Sequence, residues 1–270
     1  MKSVLTTGAN SGIGLATAIE VAKRGFHSIG SVRSEGKADE MRDAAARAGV
    51  EVTPVLLDVT NAEECRNVVA GLDLYGLVNN AGYTNTGAVE DVDDDDVRHQ
   101  FETMTIAPMR LARLALPAMR AHGGGRIVNV SSIFGRTTTP LTGWYQASKH
   151  ALEAVSDALR MEVAGDGVRV VLVEPGGFRT GIWSNNVDAI ARHIGSRYES
   201  AYERELQLTK LMDVVMGEPS QVARVIGRSL VMPFPRARYL VGVDAHALAL
   251  MQRLTPTLVK DAVTRIGLGL

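Results

Sequence analysis

The sequence predicts a doubly wound parallel α/β sheet with helices on both faces, and three observations carry that prediction. Short unbroken runs of valine, isoleucine and leucine recur along the first two thirds of the chain. Runs without polar alternation mark strands buried on both faces. The spacing between successive runs leaves one helix between strands, so the strands lie parallel with right-handed crossovers. A glycine-rich turn from Thr7 to Gly14 follows the first run and leads directly into a helical pattern.

The elements follow in order. SVLTTG from Ser3 reads as the first strand and LATAIEVAKRG from Leu15 as the first helix. SIGSV from Ser28 is the second strand, with a charged helix from Lys37 to Ala48 behind it. VTPVLLDV from Val52, LYGLVNNAG from Leu74, RIVNVSS from Arg126 and VRVVLVEPG from Val168 supply four more strands. Five carboxylates between Asp91 and Asp96 precede a helix containing Val97 to Leu116, where they suit the positive end of its dipole. From Thr180 to about Gly217 the pattern loosens and carries Trp183, Tyr198, Tyr202, Leu208, Leu211, Met212 and Met216. This stretch follows a strand end, where open α/β sheets bind ligands, and it reads as a substrate lid at about 180–217. No repeat, low-complexity stretch or linker divides the chain, so residues 1–270 read as one Rossmann-like domain.

Composition narrows the function classes. Of the 270 residues, 46% are hydrophobic and 22% charged, enough apolar material for one large core. A formal charge of −1 offers no electrostatic reason to expect nucleic acid or an anionic membrane as partner. Cys65 is the single cysteine, which rules out an internal disulfide and a four-cysteine zinc site, and the histidines form no ligand cluster at short helical spacing, so no required metal is expected. The apolar run at Val4 begins too early for a signal peptide, and no stretch reaches the ~18 apolar residues of a membrane span. The expectation is a reduced, cytoplasmic protein.

Tyr145 and Lys149 stand four residues apart in GWYQASKHAL, with Ser132 thirteen positions upstream. On a helix this spacing puts phenol and ammonium on one face. The ammonium favours the phenolate and is expected to pull the phenol below its ordinary value of about 10, while a serine hydroxyl nearby holds a substrate oxygen. Such a trio exchanges a proton with an alcohol or carbonyl but carries no electrons. The turn through Gly8, Asn10, Ser11, Gly12, Ile13 and Gly14 offers the missing partner, because its backbone can approach a pyrophosphate lying at a helix N-terminus. At the end of the second strand, where an acid would hold a ribose 2′-hydroxyl, the chain has Ser31, Val32 and Arg33. A guanidinium suits a 2′-phosphate, which favours NADP over NAD.

Taken together with Asp58, with Asn79, Asn80, Ala81 and Gly82, and with Pro175 and Gly176, these motifs fall in the order and spacing of a known family. Over essentially its full length the chain resembles the classical short-chain dehydrogenase/reductase (SDR) family. The resemblance implies that Asp58 and Val59 contact an adenine, that Asn80 and Gly82 line the adenosine ribose side, and that Lys149 holds the nicotinamide ribose hydroxyls. It implies Tyr145 as general acid in reduction and base in oxidation, Ser132 as the group positioning the carbonyl oxygen, and Pro175, Gly176, Phe178 and Thr180 as flanks of the nicotinamide. Read from the residues alone, Asp58 also suits a helix N-cap and Asn80 a turn. Family members commonly form homodimers or homotetramers through the helix bearing Tyr145 and Lys149 and the helix before it. Leu152, Val155, Leu159 and Val163 suit such a bundle or packing on the sheet.

The chain departs from the family pattern at Met104, where classical members place an asparagine that helps hold a water linking the lysine to solvent. A thioether is at best a weak acceptor. Either the relay water is held by backbone or by neighbours such as Thr103 or Thr105, or proton exchange is impaired; the expectation is a working enzyme with a modified relay. The loop after Ser132 with Phe134, the segment from Leu141 to Trp144 and the lid are mostly apolar, which points to a hydrophobic ketone, aldehyde or alcohol. The C-terminal segment from Arg238 resembles members acting on retinoid- and steroid-like substrates. The competing reading is a dinucleotide-binding regulatory or scaffold protein weakened at Met104. Retention of Ser132, Tyr145 and Lys149 weighs against it, and the lack of a G-x-S-x-G elbow weighs against a serine hydrolase.

Overall fold

The computed structural model describes residues 1–180, 193, 195–212 and 216–270, the side chains of residues 210–212 excepted. Seven parallel strands form one sheet in the order β3-β2-β1-β4-β5-β6-β7. They are β1 (Ser3–Thr6), β2 (His27–Val32), β3 (Thr53–Leu56), β4 (Leu74–Asn79), β5 (Gly125–Val130), β6 (Val168–Pro175) and β7 (Arg238–Val241). The six expected strands are all present, and β7 adds to the β6 edge through Leu172 beside Arg238 and Pro175 beside Val241.

Register explains the two faces. Leu5, Leu77, Ile127 and Val170 stand beside one another across β1, β4, β5 and β6 and enter one core cluster. Their chain neighbours Val4, Val78, Val128 and Val171 enter the cluster on the opposite face. Each such side chain leaves water almost completely, which stabilises by about 1.5–3 kcal/mol apiece. One face is covered by α1 (Gly12–Lys23), α2 (Glu35–Arg47) and α8 (Pro219–Val231), with α1 packed on α8. The other carries α3 (Ala62–Ala70), α4 (Asp94–Phe101), α5 (Ala107–Ala121) and α6 (Gly143–Glu162). Beyond β6 lie α7 (Glu199–Met212), α9 (Val243–Leu254) and α10 (Thr257–Leu268). No helix among the described residues is long and apolar enough to cross a membrane.

The carboxylate run does start a helix. Asp93 caps α4 by accepting from the Asp96 amide at 2.8 Å, and Arg98 pairs with Asp94 and Asp95. The single helix expected across Val97 to Leu116 is interrupted by a π-helical turn, Glu102–Ile106. Pro108 has no N–H to continue the α ladder, and a π register takes up the mismatch. Asp58 is not a helix cap: Asn61 caps α3, accepting from the amides of Glu63 and Glu64. On α6 Leu152 is buried and Val155 exposed, and Val163, which caps the helix, is buried.

Candidate active site

Strand order reverses between β1 and β4, which opens a crevice at their C-terminal ends. The glycine turn enters it from β1 and the segment Asn79 to Gly82 from β4. They are tied together: the Thr7 hydroxyl accepts from the amides of Asn80 (2.9 Å) and Ala81 (3.0 Å), while the Asn80 side chain donates to the carbonyls of Thr7 (3.0 Å) and Gly8 (3.3 Å). Asn80 is thus a strut beneath the turn. Gly12 sits at φ +53°, a left-handed conformation that glycine adopts without strain. A methyl group at Gly14 would lie 2.1 Å from the Gly8 carbonyl oxygen, so the close packing of turn and helix depends on its missing side chain. Ser11 opens α1 in an extended conformation and leaves its hydroxyl out of the cap, so the first helical amides face the crevice without an acidic competitor in the first turn. This cradle fits the pyrophosphate of a dinucleotide.

Arg33 is exposed at the end of β2, near Asp58 after β3. Burial pushes the Asp58 carboxyl upward, but hydrogen bonds from the Thr60 hydroxyl (2.7 Å) and amide (2.9 Å) and the Arg33 charge hold it below its ordinary value.

The reactive trio lies at the other end. Ser132 follows β5 and its hydroxyl accepts from the Phe134 amide at 3.1 Å, which leaves its proton for another acceptor. It is hydrogen-bonded to Tyr145 in the first turn of α6. Phe134 stands edge-on to the Tyr145 ring, centroids 6.4 Å apart at 80°. One turn further on, Lys149 donates to the Val130 carbonyl at 2.8 Å, with its nitrogen 6.0 Å from the Tyr145 ring centre. The expected depression of the phenol is not what this geometry gives. Burial pushes the Tyr145 hydroxyl up, with the Ser132 bond opposing, because the lysine is directed at a backbone carbonyl and both groups are out of water. Burial brings Lys149 down to about 8, the Glu153 carboxylate opposing.

A salt-bridge cluster braces the loops carrying these groups. Glu174, fully buried just before Pro175, lies 2.9 Å from Arg136 and 3.2 Å from Arg238, and Arg238 also reaches Glu153 at 3.1 Å. Burial and then the charge of Glu153 push Glu174 up to about 7 against the pull of both arginines.

One cavity of about 1030 Å³ joins the two ends, and every residue singled out as a site residue from the sequence lines it. Thr180 closes over Gly12, 3.1 Å from where a side chain there would begin, and Phe178 is buried beside Gly217. Met104 lines the cavity from the π-helical turn, packed against Gly82, with its sulfur accepting from the Gln100 amide group. The Thr105 hydroxyl is committed to the Ser148 carbonyl (2.9 Å), whereas the buried Thr103 hydroxyl has no partner among the described residues.

Some expectations for the substrate end do not hold. Leu141 is buried away from the cavity and Trp144 bonds the Val89 carbonyl instead. Tyr198 and Tyr202 do not line the cavity: Tyr198 donates to Glu90, and the buried Tyr202 donates to Asp91 at 2.7 Å. Leu208 and Met216 do line the cavity, while Trp183 and the side chains of Leu211 and Met212 lie outside the described residues. Beyond Leu208 on α7, the sequence did not single out Glu205 and Thr209 of the same helix, Asp244 and Leu248 of α9, or Thr264 and Leu268 of α10, all of which line the cavity. Asp244 accepts from the Gly177 amide at 2.5 Å and so fixes the turn after β6; its place directly after a strand end was the available signal.

Comparison with known proteins gives the family and the fold. A family model described as short chain dehydrogenase matches residues 2–191. The chain is 34% identical to the uncharacterized oxidoreductase YusZ of Bacillus subtilis, over 94% of each sequence. It is 31% identical to retinol dehydrogenase 16 of Mus musculus, over 97% of this chain and 87% of that one. Among solved structures, a short chain dehydrogenase/reductase from Burkholderia phymatum in complex with NAD superposes with a TM-score of 0.80 at 26% identity, covering 97% and 95% of the two chains. An actinorhodin polyketide ketoreductase variant with NADPH gives 0.77 at 29% identity, covering 90% and 96%. The chain belongs to the short-chain dehydrogenase family, nicotinamide-dependent oxidoreductases that act on CH–OH groups.

Proposed function

We propose that the protein is an NADP-dependent oxidoreductase of hydrophobic ketones, aldehydes or the corresponding alcohols, with Tyr145 as general acid and base. The observation that carries this reading is one cavity holding the hydrogen-bonded Ser132 and Tyr145, with Lys149 a turn away, at one end and the glycine cradle at the other. A bound nicotinamide dinucleotide supplies or accepts the hydride. It would lie with its pyrophosphate on Gly8 to Gly14, its adenine side by Asp58, Val59, Asn80, Ala81 and Gly82, and its nicotinamide side by Pro175, Gly176, Phe178 and Thr180. Arg33 supports the 2′-phosphate, because β2 ends without a carboxylate.

In reduction, the Ser132 hydroxyl holds the carbonyl oxygen and the Tyr145 hydroxyl donates its proton there, so negative charge does not accumulate on oxygen. A phenol kept protonated by burial is suited to this. The Lys149 ammonium stabilises the phenolate left behind. In oxidation Tyr145 takes the alcohol proton and the same charge helps it ionise.

The apolar wall of Phe134, Leu208, Leu248 and Leu268 supports a hydrophobic substrate, in keeping with the similarity to a retinol dehydrogenase. The stretch containing α7 acts as the lid. The same proposal includes pairing into a homodimer or homotetramer along α5 and α6, supported by exposed Val155, Ile106 and Met161, and a cytoplasmic setting, supported by the free, buried Cys65. The test is turnover of a panel of hydrophobic ketones with NADPH and NADH. Faster reduction with NADPH is expected; turnover confined to NADH overturns the cofactor assignment, and none with either overturns the activity.

A further inference from the structure

The substrate end of the cavity contains one group that the proposed reaction leaves unused. Glu205 lies on α7, with Leu208 and Thr209 three and four residues on, and all three line the cavity on one helix face. Thr264 and Leu268 of α10 and Leu248 of α9 line the same cavity. Among the described residues the Glu205 carboxyl has no hydrogen bond or ion pair, and loss of water pushes its pKa upward with no compensating partner. Glu205 is half-buried on the cavity wall, and a carboxyl that has lost part of its hydration without gaining a partner is one that a ligand's donor group can complete.

The charges around the cavity narrow what the ligand offers. Among the described lining residues its only lysine and arginine are Lys149, beside the reactive tyrosine, and Arg33, after β2. Lys260 and Arg265 line a separate cavity of about 310 Å³ that shares Thr264 and Thr139 with the main one, and neither is ion-paired to Glu205. An anionic substrate group near Glu205 would meet a carboxyl with no cation to offset it. A purely apolar substrate would leave the carboxyl stranded.

We propose that Glu205 is a specificity-determining residue that accepts a hydrogen bond from a donor group, a hydroxyl or an ammonium, carried by the substrate away from its reacting carbonyl. The substrate class is then a hydrophobic hydroxy- or amino-ketone, or the alcohol derived from it. This rests on the oxidoreductase reading above.

The test compares 2-alkanones of increasing chain length with their ω-hydroxy and ω-amino counterparts, in wild type, Glu205→Gln and Glu205→Leu, with thermal melting as a folding control. At the chain length that spans from Tyr145 to Glu205, wild type is expected to favour a donor-bearing ketone by about tenfold in kcat/KM, as a hydrogen bond to a charged group implies. Glu205→Leu should bring that ratio to one. Glu205→Gln should keep a hydroxyl preference but lose an ammonium preference, which distinguishes the two donors. A ratio near one at every length in wild type, or an unchanged ratio in Glu205→Leu, overturns the inference. If wild type reduces none of the ketones, the oxidoreductase reading fails instead; the ratio of dissociation constants for the same pairs by calorimetry then decides the role of Glu205 with the same expected values.

Discussion

Lys149 offers the sharpest quantitative test, because burial takes its pKa from an ordinary 10.5 to about 8. That displacement is worth about 3 kcal/mol. Below pH 8 the lysine is charged in both folded and unfolded chains, and the penalty of burying the charge is present in full. Between pH 8 and 10.5 the unfolded chain binds more protons than the folded one, so stability contributed through this group rises with pH. Lys149→Met removes the titration and keeps the shape. It also strands the Val130 carbonyl, which the ammonium satisfies at 2.8 Å, at a cost of about 1–3 kcal/mol that does not vary with pH. The absolute stability of the variant is therefore a poor readout, and the pH dependence of the difference is a good one. Urea unfolding of both proteins from pH 7 to 10.5 should show wild type gaining on Lys149→Met by about 3 kcal/mol, most of it above pH 8. A constant difference across that range, or wild type losing ground, would refute the claim that burial controls this lysine.

Three further outcomes follow from the same geometry. Gly14→Ala places a methyl 2.1 Å from the Gly8 oxygen and 2.5 Å from the Asn80 side chain, so it should destabilise by about 1–3 kcal/mol or more and weaken NADPH binding; thermal melting and fluorescence titration check both. Arg33→Ala should raise the Michaelis constant for NADPH by about tenfold or more while sparing NADH, and equal effects on both cofactors would contradict the 2′-phosphate role. Met104→Asn should alter the turnover rate and its pH profile if this position limits proton supply to Lys149; an unchanged rate and profile would show that it does not.

The sheet and the cofactor end were legible because local patterns dictate them. Two-sided burial writes β4 to β6 as continuous aliphatic runs, and a turn as tight as that at Gly14 admits no side chain. Where structure depends on distant parts of the chain, the reading was weaker. Strand β7 is only Arg238–Val241 and exists because β6 offers it an edge, and the π-helical turn answers to Pro108 within an otherwise helical pattern. At the substrate end, aromatic content was a poor guide. Tyr198, Tyr202 and Trp144 found hydrogen-bond partners elsewhere, whereas Glu205 and Thr264 reach the cavity through helix packing that no local motif encodes. The protonation of Tyr145 was misjudged because spacing on a helix brings two side chains to one face without specifying what the lysine bonds.

On the proposed function, Tyr145 moves the proton in a nicotinamide-dependent reaction. Single-turnover reduction of a hydrophobic ketone by wild type and Tyr145→Phe, each saturated with NADPH, tests it most directly, because the substitution deletes one hydroxyl and leaves the ring against Phe134. The rate should fall by about 10²–10⁴-fold with NADPH affinity retained. An undiminished rate in Tyr145→Phe would contradict it.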